Sequence, residues 1–151
     1  MIVGVISDTH GLLRDEAIDA LRVAEHIIHA GDIGSPEILE KLGKIAPVTA
    51  VRGNVDGDWC SAISFTEVVE LGGVSIYVLH ILQQLDLKPE AAGFGVVVYG
   101  HSHEPKQAVK SGVLYFNPGS AGPRRFRLPV TVGRLVVRNG SVSGEIIELN
   151  V

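Results

Sequence analysis

Four short fragments of this chain bring together residue types that bind metal ions: Asp8-Thr9-His10, Gly31-Asp32, Gly53-Asn54 and Gly100-His101-Ser102-His103. Each follows an apolar run of strand character, so a sheet would deliver all four to one edge. Asp8 and His10 are two apart, and in a loop after a strand both side chains can turn to the same side. Gly31 permits a sharp turn ahead of Asp32, whose two carboxylate oxygens could bridge two cations. Asn54 offers a neutral amide oxygen after a glycine. His101 and His103 flank Ser102, so in an extended segment both imidazoles project to one side. His80 ends the apolar run Val74–Leu79. Two carboxylates, one amide and four imidazoles suit manganese, iron, nickel or zinc better than calcium or magnesium, which prefer all-oxygen shells. Two such ions about 3.5–4 Å apart would hold a water between them, lower its pKa and aim it in line at phosphorus.

Taken singly, each fragment has a plain structural reading. Asp8 and Asp32 suit turns or a helix cap, Asn54 suits a left-handed turn position, and the histidines suit polar loops. The order and the shared placement at strand ends favour the joint reading. His26 and His29 lie within a strand and are assigned to packing and local hydrogen bonds. Cys60 has no base at catalytic spacing and is read as inert. Arg124, Arg125 and Arg127 form a basic cluster whose guanidinium forks could clamp a phosphate or serve a solvated turn or an oligomer contact. Arg14 and Arg52, beside the metal motifs, are comparable.

The elements that must position these residues fall into two halves. The runs Ile2–Ser7, His26–Ala30 and Pro47–Val51 read as strands, alternating with helices at Arg14–Glu25 and from Ser35-Pro36 to Gly43. Serine as N-cap and proline at N1 suit the second helix's first turn, and Gly43 suits its close. Such alternation predicts right-handed crossovers and a largely parallel sheet. The second half is mostly β. Gly72-Gly73, Ser111-Gly112 and Asn139-Gly140 each sit between strand-like runs as hairpin turns. Gly95–Tyr99 runs straight into the Gly-His-Ser-His fragment, and Gln83–Phe94 reads as a loop with a short helical turn. The expected architecture is two sheets face to face, helices outside, and loops gathered at one edge.

Composition sets the remaining bounds. The 151 residues suit one domain over 1–151, with 46% hydrophobic and 20% charged residues. A net charge of −4 weighs against a general nucleic-acid binder. One cysteine excludes an intrachain disulfide and a Cys-rich zinc site. No signal peptide and no membrane-spanning run is read, so the cytoplasm is the expected compartment. The β-rich C-terminal half and its hairpins would suit a homo-oligomer.

Asp-x-His, Gly-Asp, Gly-Asn-x-Asp, a lone His and Gly-His-x-His, in that order, resemble the calcineurin-like metallophosphoesterases, and in particular their small bacterial and archaeal phosphodiesterase branch. Asn117-Pro118-Gly119-Ser120, followed by Pro123-Arg124, resembles that branch's C-terminal signature. The resemblance implies a four-layer αββα sandwich of two mixed sheets, binding two divalent transition metal ions, manganese first, with nickel, zinc or iron as alternatives. It implies one ion on Asp8, His10, Asp32 and His103, and a second on Asp32, Asn54, His80 and His101. Asp32 would bridge, Asn54 would also touch the substrate phosphate, and Arg124 is a further substrate candidate. The implied activity is hydrolysis of a small phosphodiester by a metal-bridging hydroxide, with Asp32 and Asn54 catalytic. Two departures stand out. Many relatives read Gly-Asn-His-Asp, whereas Val55 here cannot move a proton and leaves Asp56 without the histidine it would orient. The branch commonly reads His-Gly-His where this chain has His80-Ile81-Leu82. These departures keep open a silent protein-interaction scaffold on the same fold, as in the eukaryotic retromer subunit. A phosphomonoesterase or nuclease is the remaining alternative.

Overall fold

The computed structural model describes residues 1–151. In chain order the elements are β1 (Ile2–Ile6), α1 (Asp15–Leu21), β2 (His26–His29), α2 (Pro36–Gly43), β3 (Val48–Ala50), β4 (Thr66–Leu71), β5 (Val74–Leu79), α3 (Pro89–Ala92), β6 (Val96–Val98), β7 (Lys106–Lys110), β8 (Val113–Asn117), β9 (Thr131–Arg138) and β10 (Ser141–Glu148). The strands form two mixed five-stranded sheets, ordered β10-β9-β1-β2-β3 and β4-β5-β6-β8-β7. The expected α/β sandwich of two mixed sheets is therefore the architecture found, with few and short helices beside it. No helix is long and apolar enough to cross a membrane.

The core is layered by strand alternation. Val3 and Val5 of β1 face the second sheet, where they join Ile76, Val78, Val96, Val98 and Phe116. Ile6, on the opposite face, packs with Leu21 of α1 and with Ile38 and Leu42 of α2. A Cβ on Gly4 would lie 2.6 Å from Leu21 Cδ2, so the missing side chain lets α1 seat directly on the central strand. The outer face of the second sheet (Tyr77, Leu79, Val97, Tyr99) is covered by Leu82, Leu85, Leu87 and Phe94. This segment carries a 3-10 turn at Leu82–Gln84 and α3, closed by Gly93 at φ 82°.

All three sequence-predicted hairpins form. Each two-residue turn has positive φ at both positions: 56° and 80° at Gly72-Gly73, 51° and 77° at Ser111-Gly112, 52° and 79° at Asn139-Gly140. That is the type I′ pattern that matches strand twist. One helix boundary and the capping of another helix differ from expectation. The first helix stops at Leu21 instead of Glu25, because Glu25 is taken by β1: its N–H donates to Ile2 O at 2.8 Å and its carboxylate accepts the Ile2 N–H at 2.9 Å. In α2, Ser35 stands at the N-cap with Pro36 following, but its hydroxyl makes no cap bond. Gly43 is the helix's last residue, and Lys44, in a right-handed conformation, is the cap.

One ring locks the two sheets together. Phe116 is fully buried, and its edges occupy the space that Cβ atoms would fill at Gly133 of β9 and Gly144 of β10. Gly133→Ala should therefore cost about 1–3 kcal/mol through overpacking. Adding Phe116→Leu should recover part of that loss, read as non-additivity in a urea-unfolding double-mutant cycle. Simple additivity would show that the notch does not couple the sheets.

Candidate metal centre

Strand direction gathers the ligand loops. β1, β2 and β3 are mutually parallel, as are β5 and β6, so each set delivers its C-terminal ends to one edge. Asp8 and His10 follow β1, Asp32 follows β2, Asn54 follows β3, His80 follows β5, and His101 and His103 follow β6. The backbone there is unusual. Asp8, His10, Asp32, His101 and His103 all have positive φ, between 47° and 74°, in the left-handed region that costs most non-glycine residues energy.

The side chains collect into two groups. Ligand atoms of Asp8, His10 and His103 lie within 4.8 Å of one another, as do those of Asp32, His80 and His101. Asp8 is wholly buried. Its Oδ2 accepts the Ser7 hydroxyl at 2.7 Å and the His101 N–H at 3.1 Å. Its Oδ1 has no hydrogen-bond partner and faces the Nε2 atoms of His103 at 3.4 Å, His80 at 3.7 Å and His10 at 3.8 Å. Asp32 is arranged alike. Oδ1 accepts the Val55 N–H at 3.1 Å, and Oδ2 faces His80 Nε2 at 3.1 Å and His10 Nε2 at 3.8 Å. His10 and His103 present Nε2 to each other at 3.3 Å, and the His80 and His101 rings meet edge-on with centroids 5.3 Å apart.

These contacts fit divalent cations. His80 Nδ1 lies 2.7 Å from Ala30 O and must donate to it, which in the neutral ring leaves the lone pair on Nε2, aimed at the two carboxylates. Buried oxygens facing imidazole lone pairs require positive charge between them. Burial alone would raise the Asp8 carboxyl, but the close imidazoles of His103 and His80 and the Ser7 hydroxyl outweigh it and hold Asp8 below the usual carboxylate value. Burial likewise opposes ionisation of Asp32, and His80, the Val55 N–H and His10 hold it low. His80 shows the reverse balance. Burial would depress it, and Asp32, Asp8 and the Ala30 carbonyl raise it. A proton on His80 is one form of the positive charge the carboxylates demand; a divalent cation is another.

Two buried side chains outside the predicted ligand set hold the ligand loops. Asp56, expected without its usual partner, is fully partnered by backbone. Its carboxylate accepts Ile33 N–H at 2.9 Å, Gly34 N–H at 3.1 Å and Gly53 N–H at 2.8 Å, tying the Asp32 loop to the Asn54 loop. His29 links the Asp32 loop to the Asp8 loop. Gly31 N–H donates to His29 Nδ1 at 3.1 Å, so Nε2 carries the proton and donates to Thr9 Oγ1 at 3.0 Å, while the Thr9 hydroxyl donates to Ile33 O at 2.7 Å. The local bond of His29 to Gly31 accords with its assignment to packing and local hydrogen bonds, whereas its reach to Thr9 and that of Asp56 to Ile33 and Gly34 join residues 20 or more apart and have no local sign. Asn117, whose amide donates to Gly100 O at 3.2 Å and Ser102 Oγ at 3.1 Å, steadies the His101–His103 loop.

The expectation of an extended His101–His103 segment is corrected. Gly100 is pressed so closely against Ser7 and Asp8 that a Cβ would collide with both. The chain turns there through left-handed backbone and sends the two imidazoles into different groups. Asn54 is exposed and lines a cleft with Arg52, Phe65, His80 and Gln84, and a Cβ on Gly53 would collide with Asp32. Arg52 stacks on the Phe65 ring, 4.7 Å from its centroid. Arg124 lines a separate cleft with His10 and His103, but its guanidinium donates to Leu128 O at 3.2 Å and Val151 O at 3.3 Å. Away from the site, His26 pairs with Thr49 Oγ1 at 2.7 Å, and burial pushes the Cys60 thiol up.

A calcineurin-like phosphoesterase superfamily domain model matches residues 1–140. The chain belongs to the calcineurin-like phosphoesterase superfamily. A probable metallophosphoesterase of Methanothermobacter thermautotrophicus is 32% identical across 97% of this chain and 92% of its own. A phosphodiesterase of Methanocaldococcus jannaschii is 29% identical, covering 79% of this chain and 83% of its own. The solved structure of an archaeal phosphodiesterase superposes with a TM-score of 0.81 at 25% identity, covering 97% of this chain and all of that one. Metallophosphoesterases of this small archaeal and bacterial type are thus the family context for both ligand groups.

Two predictions follow from the loop supports. Asp56→Asn should cost roughly 3 kcal/mol in urea unfolding, since one charged acceptor serves three N–H groups. It should also weaken metal binding about 10–100-fold in calorimetric titration, as loss of a supporting group does. His29 is depressed to about 4 from 6.5 by complete burial. Between those values the unfolded chain binds the extra proton, so stability falls as pH drops from 6.5 towards 4, by about 3 kcal/mol for this residue. His29→Gln should flatten that part of the stability–pH curve; parallel curves for the two proteins would acquit His29.

Proposed function

We propose that the protein is a dinuclear metal-dependent phosphodiesterase acting on small phosphodiesters. The observation that carries this reading is Asp8 Oδ1: buried, unpartnered, and faced by the Nε2 atoms of three histidines beside a second buried carboxylate. Asp8, His10, Asp32 and His103 would hold one ion, and Asp32, Asn54, His80 and His101 the other, with Asp32 shared. The mixed oxygen and imidazole donors favour manganese, with nickel, zinc or iron next. When bound, such ions polarise phosphoryl oxygens and activate a water as nucleophile.

The chain's own residues set the geometry of that chemistry. Ser7 and the His101 N–H fix Asp8, the Val55 N–H fixes Asp32, and Ala30 O fixes the His80 tautomer. Asn54, exposed and lining one cleft with His80, would donate its amide N–H to a phosphoryl oxygen. Val55 stands between Asn54 and Asp56, its side chain 60% exposed and unable to protonate a departing alkoxide. A positioned acid is typically worth 10²–10⁴-fold, so its lack at this position favours substrates with good leaving groups. The phosphodiesterase relatives support the same class.

Metal-stripped protein refilled with manganese, nickel, zinc or magnesium should cleave an activated aryl phosphodiester in preference to the matching monoester. Asp32→Asn, which the left-handed backbone tolerates, should reduce cleavage more than about 100-fold, beyond the loss typical of a supporting group, and should lower the ions bound per chain. Absence of cleavage with every metal, or full activity in Asp32→Asn, would overturn the reading.

A further inference from the structure

The segment after the Asn117-Pro118-Gly119-Ser120 turn is anchored at its root to the loop that carries Asp8 and His10. Ser120 Oγ donates to Asp8 O at 3.0 Å, and Ala121 N–H donates to Ser7 O at 3.1 Å. A Cβ on Gly122 would collide with the carbonyl oxygens of Asp8 and Thr9. The returning end is tied as well, with Thr131 N–H donating to Ser120 O at 2.9 Å. Between these ties runs Pro123-Arg124-Arg125-Phe126-Arg127-Leu128-Pro129. Arg124 braces the loop through the Leu128 and Val151 carbonyls, and Leu128 N–H closes a turn onto Arg125 O at 3.1 Å.

That brace leaves Arg125 as the uncommitted cation of the cleft beside His10 and His103. Its side chain makes no hydrogen bond within the protein, and no carboxylate lies within ion-pair distance of Arg125 or Arg127. In a chain of net charge −4, Arg124, Arg125 and Arg127 concentrate positive potential on one loop, two of them without an acidic partner. Arg125 lines a cleft of about 190 Å³ with His10, His103, Pro123 and Arg124. The cleft therefore opens directly off the Asp8, His10 and His103 group. It is separate from the cleft beside Asn54 and His80, which Arg52 and Phe65 line. The two arms of a bound diester would thus meet different surroundings.

We propose that the Arg125 cleft is a subsite for a second anionic group, a carboxylate or phosphate carried on one arm of the phosphodiester, with Arg125 as its ligand. The proposal rests on the phosphodiesterase reading and narrows its substrate class to diesters bearing a further negative charge. A guanidinium lining a cleft with two imidazoles and a proline suits a planar or tetrahedral oxyanion, which it can grip with two N–H groups. The loop's anchoring keeps the backbone that carries Arg125 close to the Asp8 loop.

Diphenyl phosphate and its analogue with a carboxylate on one ring serve as binding probes, titrated calorimetrically into manganese-loaded protein. The matching 4-nitrophenyl diesters, with and without that carboxylate, report turnover. The carboxylate probe should bind about tenfold more tightly, the scale of one charge-assisted contact. Arg125→Gln should erase that preference while leaving binding of diphenyl phosphate unchanged, Arg125→Lys should restore part of it, and Arg127→Gln should retain it. Equal binding of both probes by the wild type, a preference surviving in Arg125→Gln, or an equal loss for both probes in that variant would overturn the subsite. A binding preference without turnover of either nitrophenyl diester would uphold the subsite and overturn the hydrolase reading. Turnover of both diesters at equal kcat/KM, with equal probe binding, would do the reverse.

Discussion

Two carboxylates, Asp8 and Asp32, are held almost out of water with one oxygen each left facing imidazole nitrogens. Like charges buried this close repel, and each loses hydration that the one or two hydrogen bonds it accepts do not replace. Only positive charge delivered between them settles the balance. The rest of the site follows from that constraint. The second oxygen of each carboxylate is anchored by hydroxyl or backbone donors, so the free oxygens cannot swing away to find water. His80 is turned by the Ala30 carbonyl so that its Nε2 adds to the convergence.

The fold meets this demand with rigid ends instead of flexible arms. Parallel strands stop at a common edge, and the loops leaving them are cross-tied by Asp56, His29 and Thr9, none of which points a ligand at the centre. Glycines at 53, 100 and 122 let three loop backbones approach closer than any side chain would allow. The site is thus a set of short, mutually braced loops. Its geometry depends on the packing between the sheets, where Phe116 fills the notch left by Gly133 and Gly144.

The hairpins and the strand-end placement of the metal-binding residue types were legible in the sequence because both have local causes. A two-residue turn needs two positive φ values, and Gly-Gly, Ser-Gly and Asn-Gly announce them. An apolar run followed by Asp, Asn or His announces a strand end. What stayed hidden was set from a distance. Where α1 ends depends on Glu25 pairing with Ile2, twenty-three residues away. The divergence of His101 and His103 depends on Gly100 meeting Ser7 and Asp8. His29, read as packing and local hydrogen bonds, does bond locally to Gly31 but also reaches the Thr9 hydroxyl in another loop. Asp56 looked like a residue deprived of its partner because it accepts backbone N–H groups of the Asp32 loop.

Five of the seven residues assigned to the centre sit in left-handed backbone. That conformation is tolerated by Asp, Asn, His and Gly and resisted by β-branched and bulky side chains. Selection at these positions would therefore answer to two filters at once, the proposed ligation and the dihedral angle. A lineage that abandoned the ions while keeping the sandwich would find its cheapest steps at asparagine and glycine, and would seldom pass through valine or isoleucine. Asparagine at the position of Asp32, or glycine at that of His101, would thus be a readable trace of a centre retired in an otherwise unaltered scaffold.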